Sequence, residues 1–323
     1  MTDRARAVRA GNITAVAHPD RNSVSALVDR FRAQGYRTLE TEHFAVCQLR
    51  PGIGRTYLMH TFDEASIDDD LSAVLATELS PLDVLASDQD YGRALFAIVA
   101  STCQRCPACQ EPGHLHLAHD GIMRHYCVNS IRRLRAFLDA PAQADAPSSH
   151  LAQFAAVYRK VIEYSDGTSL LDVGSNLGFF SVLAAERTDM TVVGCDNRTD
   201  AVRYANDLAS TMDTSGVGFV LRDVLDANFA EIGQYDTVAC VHLLEHLNDD
   251  QTPIALANML QSAIRRLIIS VPYEEKLEPL YGHSQVFTQS KLQRWGQWCV
   301  DKLGSGRHWR ENVAGGLLVI ERQ

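Results

Sequence analysis

No run of about 18 consecutive apolar residues occurs anywhere in the 323-residue chain, so no segment reads as a membrane-spanning helix. The opening residues, Met-Thr-Asp-Arg-Ala-Arg, carry charge but no apolar core of signal-peptide length, and the expected compartment is the cytoplasm. Positive charge is in deficit: 30 Lys and Arg stand against 40 Asp and Glu, a formal net charge of -10. A surface built to neutralise nucleic-acid phosphates is therefore not expected, and the local cluster Arg132, Arg133 and Arg135 reads as a solvated helix face. Internal repeats are missing, as are a Gly-Lys-Ser/Thr phosphate loop and the Gly-x-Gly-x-x-Gly of a dinucleotide turn. The chain does have apolar residues in supply. At 46% of the sequence they are enough for one large core or two modest ones.

The most informative stretch is Ser169-Leu-Leu-Asp-Val-Gly-Ser-Asn-Leu-Gly-Phe-Phe-Ser-Val-Leu-Ala184. A short apolar run of the kind that forms a strand buried on both faces turns sharply between Gly174 and Gly178, then continues with helical period. Such a turn lets a ligand approach the backbone closely, and the helix that follows offers unpaired N–H groups. Asp172 precedes the first glycine. A carboxylate there would repel a pyrophosphate but suits a cationic ligand, such as the sulfonium and amino-acid end of S-adenosylmethionine.

On these residues the sequence resembles the class I S-adenosylmethionine-dependent methyltransferases, whose motif is Asp/Glu-x-Gly-x-Gly-x-Gly. Asn176 stands at the middle glycine, as in the Asp-Val-Gly-Ala/Ser-Asn-x-Gly variant of natural-product and sugar O-methyltransferases. The resemblance implies an α/β, doubly wound, Rossmann-like sheet over residues 150–323, with Asp172, Gly174, Ser175, Asn176 and Gly178 on the cofactor. The pattern beyond the turn agrees with that sheet, since strands at 191–195, 217–221, 235–241 and 267–271 alternate with helical stretches. Two closing strands, 309–312 and 317–321, are expected to pair antiparallel around Gly315-Gly316. Asp196, at the end of the second strand, is placed to accept both ribose hydroxyls, with a cap for the helix from Arg198 as the lesser reading. The family places an acid by the adenine amino group at the position of Asp223.

The fourth strand runs into His242-Leu-Leu-Glu-His246. His-x-x-Glu-His also matches an inverted zinc-protease motif, but that chemistry needs the motif inside a helix, and here it caps a buried strand. His246 is the first choice for a base that takes a proton from a hydroxyl, with His242, Glu245 and His283 as the other candidates for base or divalent-metal ligand. In some related O-methyltransferases an acid occupies the position of His242 and helps hold a divalent ion.

Ahead of this half, residues 1–20 read as a mobile arm and 21–138 as an α+β region. Helices are expected over 23–34, 71–79, 91–100 and 129–138, and strands over 44–49 and 56–62. Cys106-Pro-Ala-Cys109 has zinc-knuckle spacing and Cys127 is the expected return ligand, with Cys103 or His125 as the fourth and His114, His116 or His119 as alternatives. Leu115 and Leu117, a turn at Asp120-Gly121 and a return through Met123 and Tyr126 read as the hairpin of a small zinc ribbon. Cys47, Cys195, Cys240 and Cys299 read as ordinary core residues. Residues 139–149, with two prolines and no large apolar side chain, read as the linker before a domain at 150–323.

Cys-Pro-Ala-Cys, His-Leu-His-Leu and Arg-His-Tyr-Cys-Val-Asn-Ser130 resemble the mycofactocin oligosaccharide methyltransferases. That resemblance implies a glucose hydroxyl as acceptor, with Trp295, Trp298 and Trp309 as sugar-stacking faces or core. The alternatives are an RNA methyltransferase with a zinc ribbon, against which the acidic balance counts, and a non-catalytic S-adenosylmethionine-binding protein.

Overall fold

The computed structural model describes residues 6–49, 54–85, 87–102, 115–140 and 149–323. β1 (Arg6–Ala10) and β2 (Ile13–Ala17) form an antiparallel hairpin across Gly11-Asn12, where Gly11 takes φ +60° as a two-residue turn demands. The expected mobile arm is thus ordered from Arg6. Its polar, arginine-rich strand hides the pattern, while Ile13 and Ala15 are fully buried. α1 (Arg21–Ala33) follows, capped by Asp20, whose carboxylate accepts from Ser23 N–H at 2.7 Å. β3 (Arg37–Glu40), β4 (Phe44–Gln48) and β5 (Thr56–His60) complete a sheet of order β1-β2-β5-β4-β3, in which only β2 and β5 run parallel. Val24 and Val28 of α1 pack on Val16, Ala45, Cys47 and Met59 of this sheet.

α2 (Asp70–Leu79) and α3 (Asp88–Thr102) come next, then α4 (Leu115–Asp139), a single helix of 25 residues. The expected zinc-ribbon hairpin is therefore corrected. Tyr126, Cys127, Ser130, Ile131 and Leu134 are buried with helical period, and that apolar stripe outweighs the turn signal of Asp120-Gly121. Cys103, Cys106, Cys109 and His114 lie outside the described residues, as does nearly all of the expected linker. Compact units divide at Ser130/Ile131, inside α4: one is Met1–Ser130 with Pro279–Tyr281, the other Ile131–Glu278 with Gly282–Gln323.

In the second unit α5 (His150–Tyr164) is capped by Ser149 and leads into β6 (Ser169–Val173), α6 (Phe179–Arg187), β7 (Thr191–Asp196), α7 (Thr199–Thr211) and β8 (Val217–Leu221). β9 (Tyr235–Val241), α8 (Thr252–Ser262), β10 (Ala263–Val271), α9 (Gln289–Leu303), β11 (Arg307–Asn312) and β12 (Gly316–Glu321) complete it. The sheet order is β11-β12-β10-β9-β6-β7-β8, with β6 to β10 mutually parallel and β12 antiparallel to both neighbours. Strand alternation sorts the core. Leu171, Val173, Val238, Cys240, Leu267 and Ile269 pack with Ala255, Leu256 and Met259 of α8 and Leu292 and Cys299 of α9. Trp295 and Trp298 are half-buried against that same core, with ring centroids 5.7 Å apart. Among the described residues no helix is long and apolar enough to cross a membrane.

From β6 the chain steps to β7 and β8 on one side of the sheet, then returns to β9 and β10 on the other. The carboxyl ends of β6 and β9 therefore flank the point where strand order reverses, the place at which open α/β sheets bind ligands.

Candidate functional site: the crevice at the strand-order reversal

The glycine turn is held by backbone geometry. Gly174 and Ser175 donate their N–H groups to the carbonyl of Cys195 at 2.8 and 2.9 Å, and Gly178 N–H returns to the Ser175 carbonyl at 2.8 Å. Gly174, Asn176 and Gly178 all have positive φ, at +77°, +46° and +82°. Asparagine is one of the few L-residues that enters this left-handed region at modest cost, which accounts for Asn176 at a position that the resembled Asp/Glu-x-Gly-x-Gly-x-Gly motif fills with glycine. Gly178 is a closer constraint, since an added Cβ would sit 2.7 Å from Phe219 Cζ and 2.8 Å from Ala205 Cβ. Ser175 is buried and its hydroxyl has no hydrogen-bond partner among the described residues.

Asp196, at the end of β7, ties the turn to the next helix. Its Oδ2 accepts from Asn176 N–H at 3.0 Å and its Oδ1 from Arg198 N–H at 2.9 Å. Asp196 also lines the crevice; its bond to Arg198 N–H braces the turn and is not a helix cap, since Arg198 itself stands at the N-cap of α7 with no side-chain cap bond. Asp223 lines the same crevice, accepting from Leu225 N–H at 2.9 Å and Asn197 Nδ2 at 3.3 Å. Val173, Gly174, Leu243 and Leu247 supply its apolar side.

Asp172 is not on that wall. Strand alternation sends it to the opposite face of β6, where it is 2% exposed and accepts from Ser181 Oγ of α6 at 2.5 Å. Burial pushes its pKa up to about 7, against the Ser181 hydrogen bond that lowers it, with Asp196 adding repulsion. The expectation that this carboxylate faces the cofactor's cation is corrected: it pins α6 to β6 beneath the turn.

The exit of β9 is strained. His242 has φ +53°, rare for a residue with a Cβ, and such outliers concentrate at functional sites. Its N–H reaches the Ser270 carbonyl at 2.9 Å and its ring meets Phe154 edge-on at 5.2 Å. A 3-10 turn, Leu244–His246, then folds Glu245 inward to 1% exposure. Glu245 Oε1 lies 3.2 Å from His242 Nδ1, while Oε2 is buried with no hydrogen-bond partner among the described residues.

The loop after β10 is clamped onto this turn. Gln285 donates through Nε2 to the carbonyls of Leu244 and Leu247 and to Thr252 Oγ1, at 2.7 to 2.8 Å, and Ser284 N–H meets the Glu245 carbonyl at 2.8 Å. As a result His283 lies edge-on to His246 with ring centroids 5.0 Å apart. Glu245, His246 and His283 each bring one ligand atom within 4.8 Å of the others. An orphaned buried carboxylate oxygen beside two imidazoles is a donor set that fits a divalent ion of the first transition row. His242 joins through Glu245 and not as a fourth member of that group. Sequence reasoning missed Gln285, which carries no motif.

The zinc set is only partly in view. His125 and Cys127 both lie on α4, exposed and buried respectively, about 200° apart around a helix at 100° per residue. They face opposite sides and do not share one ion.

Residues 170–263 match the family model described as "Methyltransferase domain". Ajmaline N-methyltransferase of Rauvolfia serpentina is 27% identical over 135 residues, which cover 39% of this chain and 46% of that enzyme. The chain thus spans about half the length of this curated relative. Among solved structures, magnesium protoporphyrin IX methyltransferase of Synechocystis PCC 6803 with bound S-adenosylhomocysteine superposes with TM-score 0.42 at 17% identity, covering 61% of this chain and 94% of its own. A Pyrococcus horikoshii OT3 protein superposes with TM-score 0.45 at 15% identity, covering 55% and 93%. The glycine turn, both strand-end acids and the His242–His246 exit all fall inside the matched residues, and positions 170–263 of this chain are a methyltransferase domain.

Proposed function

We propose that the whole chain is an S-adenosylmethionine-dependent O-methyltransferase acting on a hydroxyl of a small molecule or glycan. The observation that carries this reading is the convergence of Glu245, His246 and His283 at the β9 exit, the segment whose Leu243 and Leu247 line the crevice. The cofactor supplies an electrophilic methyl group on a sulfonium. Asp196 would accept from its ribose hydroxyls and Asp223 from its adenine amino group, while the glycine turn would let its amino-acid end approach the backbone closely.

Methyl transfer is an in-line displacement, so alignment of the acceptor is the first requirement. A hydroxyl is a poor nucleophile until its proton leaves, whereas an amine attacks as the free base. The cluster at the β9 exit answers the hydroxyl's need and favours O- over N-methylation, although the curated relative is named for the latter. His246, half-anchored by the Gly282 carbonyl 3.3 Å from Nδ1, is placed to take that proton. Alternatively, a divalent ion held by Glu245, His246 and His283 would lower the acceptor's pKa as a Lewis acid, with His246 then a ligand in place of the base. Within this class, a glucose hydroxyl of the mycofactocin oligosaccharide is the acceptor that the Cys/His stretch before Ser130 favours.

Labelled cofactor with cell extract, read by mass spectrometry for species gaining one methyl, tests the reading directly. His246→Ala should lower turnover about 10²-fold or more with cofactor affinity near wild type, as loss of a general base does. Label appearing only on nucleic acid, or on no molecule at all, would sink the proposal.

A further inference from the structure

We propose that Glu274, on the loop after β10, is a positioning residue that fixes the proton of His283. This rests on the assignment of Glu245, His246 and His283 to the reaction. His283 Nδ1 lies 2.8 Å from Glu274 Oε1 and 3.0 Å from Oε2, with His283 9% and Glu274 18% exposed at their side chains. A carboxylate can only accept, so Nδ1 carries the hydrogen and Nε2 is the nitrogen with a lone pair to offer.

His246 shows the same arrangement independently. Its Nδ1 faces the Gly282 carbonyl, another pure acceptor, at 3.3 Å. Both imidazoles therefore present Nε2 as the basic atom, and both belong to the group whose third member, Glu245, has an unpartnered buried oxygen. A carboxylate behind a histidine fixes its tautomer and locks its ring, the arrangement found behind metal-ligating imidazoles.

The backbone holds Glu274 in place for this. Its N–H meets the Phe287 carbonyl at 3.3 Å across the loop, while Ser284 and Gln285 fasten the intervening segment to Glu245. The loop thus delivers a histidine together with the acid that sets its tautomer. Of the glutamates after β10, Glu274 is the one whose carboxylate meets an imidazole among the described residues.

The test uses ¹⁵N-labelled full-length protein, with the ring tautomer of His283 read by long-range ¹H–¹⁵N correlation and manganese(II) affinity by electron paramagnetic resonance. The His283 signals are assigned with a His283→Gln variant. Wild type should show the Nδ1–H tautomer. Glu274→Ala should lose it and weaken manganese binding about 10- to 100-fold, as loss of such a partner does, with S-adenosylmethionine affinity unchanged. Glu274→Gln, whose amide oxygen still accepts, should keep the tautomer and lose less affinity, which guards against a misfolded alanine variant. An Nε2–H tautomer in wild type, or one unchanged in Glu274→Ala, would overturn the proposal. A tautomer lost in Glu274→Ala, in a protein that binds no manganese and methylates no hydroxyl, would uphold Glu274's role and overturn the function proposed above.

Discussion

His60 and Asp172 are buried titratable groups whose shifts have opposite consequences. Burial lowers the His60 pKa to about 3, with His18 adding repulsion, while its Nε2 stays on Ser101 Oγ at 2.8 Å. The unfolded chain takes up a proton near pH 6.5 that the folded chain refuses, so stability is full above that pH and falls as pH drops toward 3. Urea melts between pH 7 and 4 should lose at most about 1.4 kcal/mol per pH unit from this group, and His60→Gln should flatten the slope. Asp172 works the other way: its native pKa of about 7 lies above the unfolded value of 3.8, so the native state keeps a proton that the unfolded state releases. Its contribution erodes as pH rises from about 4 to 7. Asp172→Asn should therefore gain stability relative to wild type across that window. A pH-independent difference would mean the carboxylate is already ionised in the fold.

At the scale of elements, the glycine turn sets the sharpest expectation. Gly178→Ala combines φ +82° with a Cβ inside contact distance of Phe219, and should cost about 2 kcal/mol or more in thermal melts. Asn176→Gly, which relieves a left-handed φ without adding atoms, should stay within about 1 kcal/mol of wild type. The inner parallel strands β6, β9 and β10 were legible because strands buried on both faces read as apolar runs, whereas β8, at the sheet edge with Val220 and Leu221 exposed, was legible by its apolar run alone. Elements whose signals were polar or mixed escaped. β1 is arginine-rich, and α4 carries an Asp120-Gly121 pair that mimics a turn. α9 had its signals in plain view, Thr288 as cap with Lys291 N–H at 3.2 Å and Gly304 after the last turn, and the core reading of Trp295 and Trp298 agrees with their packing. Within the site, Asp196 was legible by its distance from the glycine turn. The meeting of His283 with Glu245 was legible only as a candidate list, because Gln285, which sets that register through three hydrogen bonds, has no pattern of its own. The Cys103, Cys106 and Cys109 proposal, with Cys127, carries its own check. Protein purified without chelator should hold about one zinc, and His125→Ala should leave that content unchanged, since His125 turns away from Cys127.

Across the whole molecule, one unit carries every element of the proposed chemistry, and within it strand order alone decides where that chemistry sits. The turn after β6, the acids after β7 and β8 and the histidines after β9 share one sheet edge because β6 is where strand order reverses. A net charge of -10 is the balance on which a nucleic-acid partner is not expected. The central claim is that S-adenosylmethionine occupies this crevice, and isothermal titration calorimetry of the full chain tests it most directly. Wild type and His246→Ala should bind one cofactor per chain with matching affinity, while Asp196→Ala should bind at least about tenfold more weakly, the loss expected for hydrogen bonds to a charged group. No binding by wild type, or undiminished binding by Asp196→Ala, would contradict it.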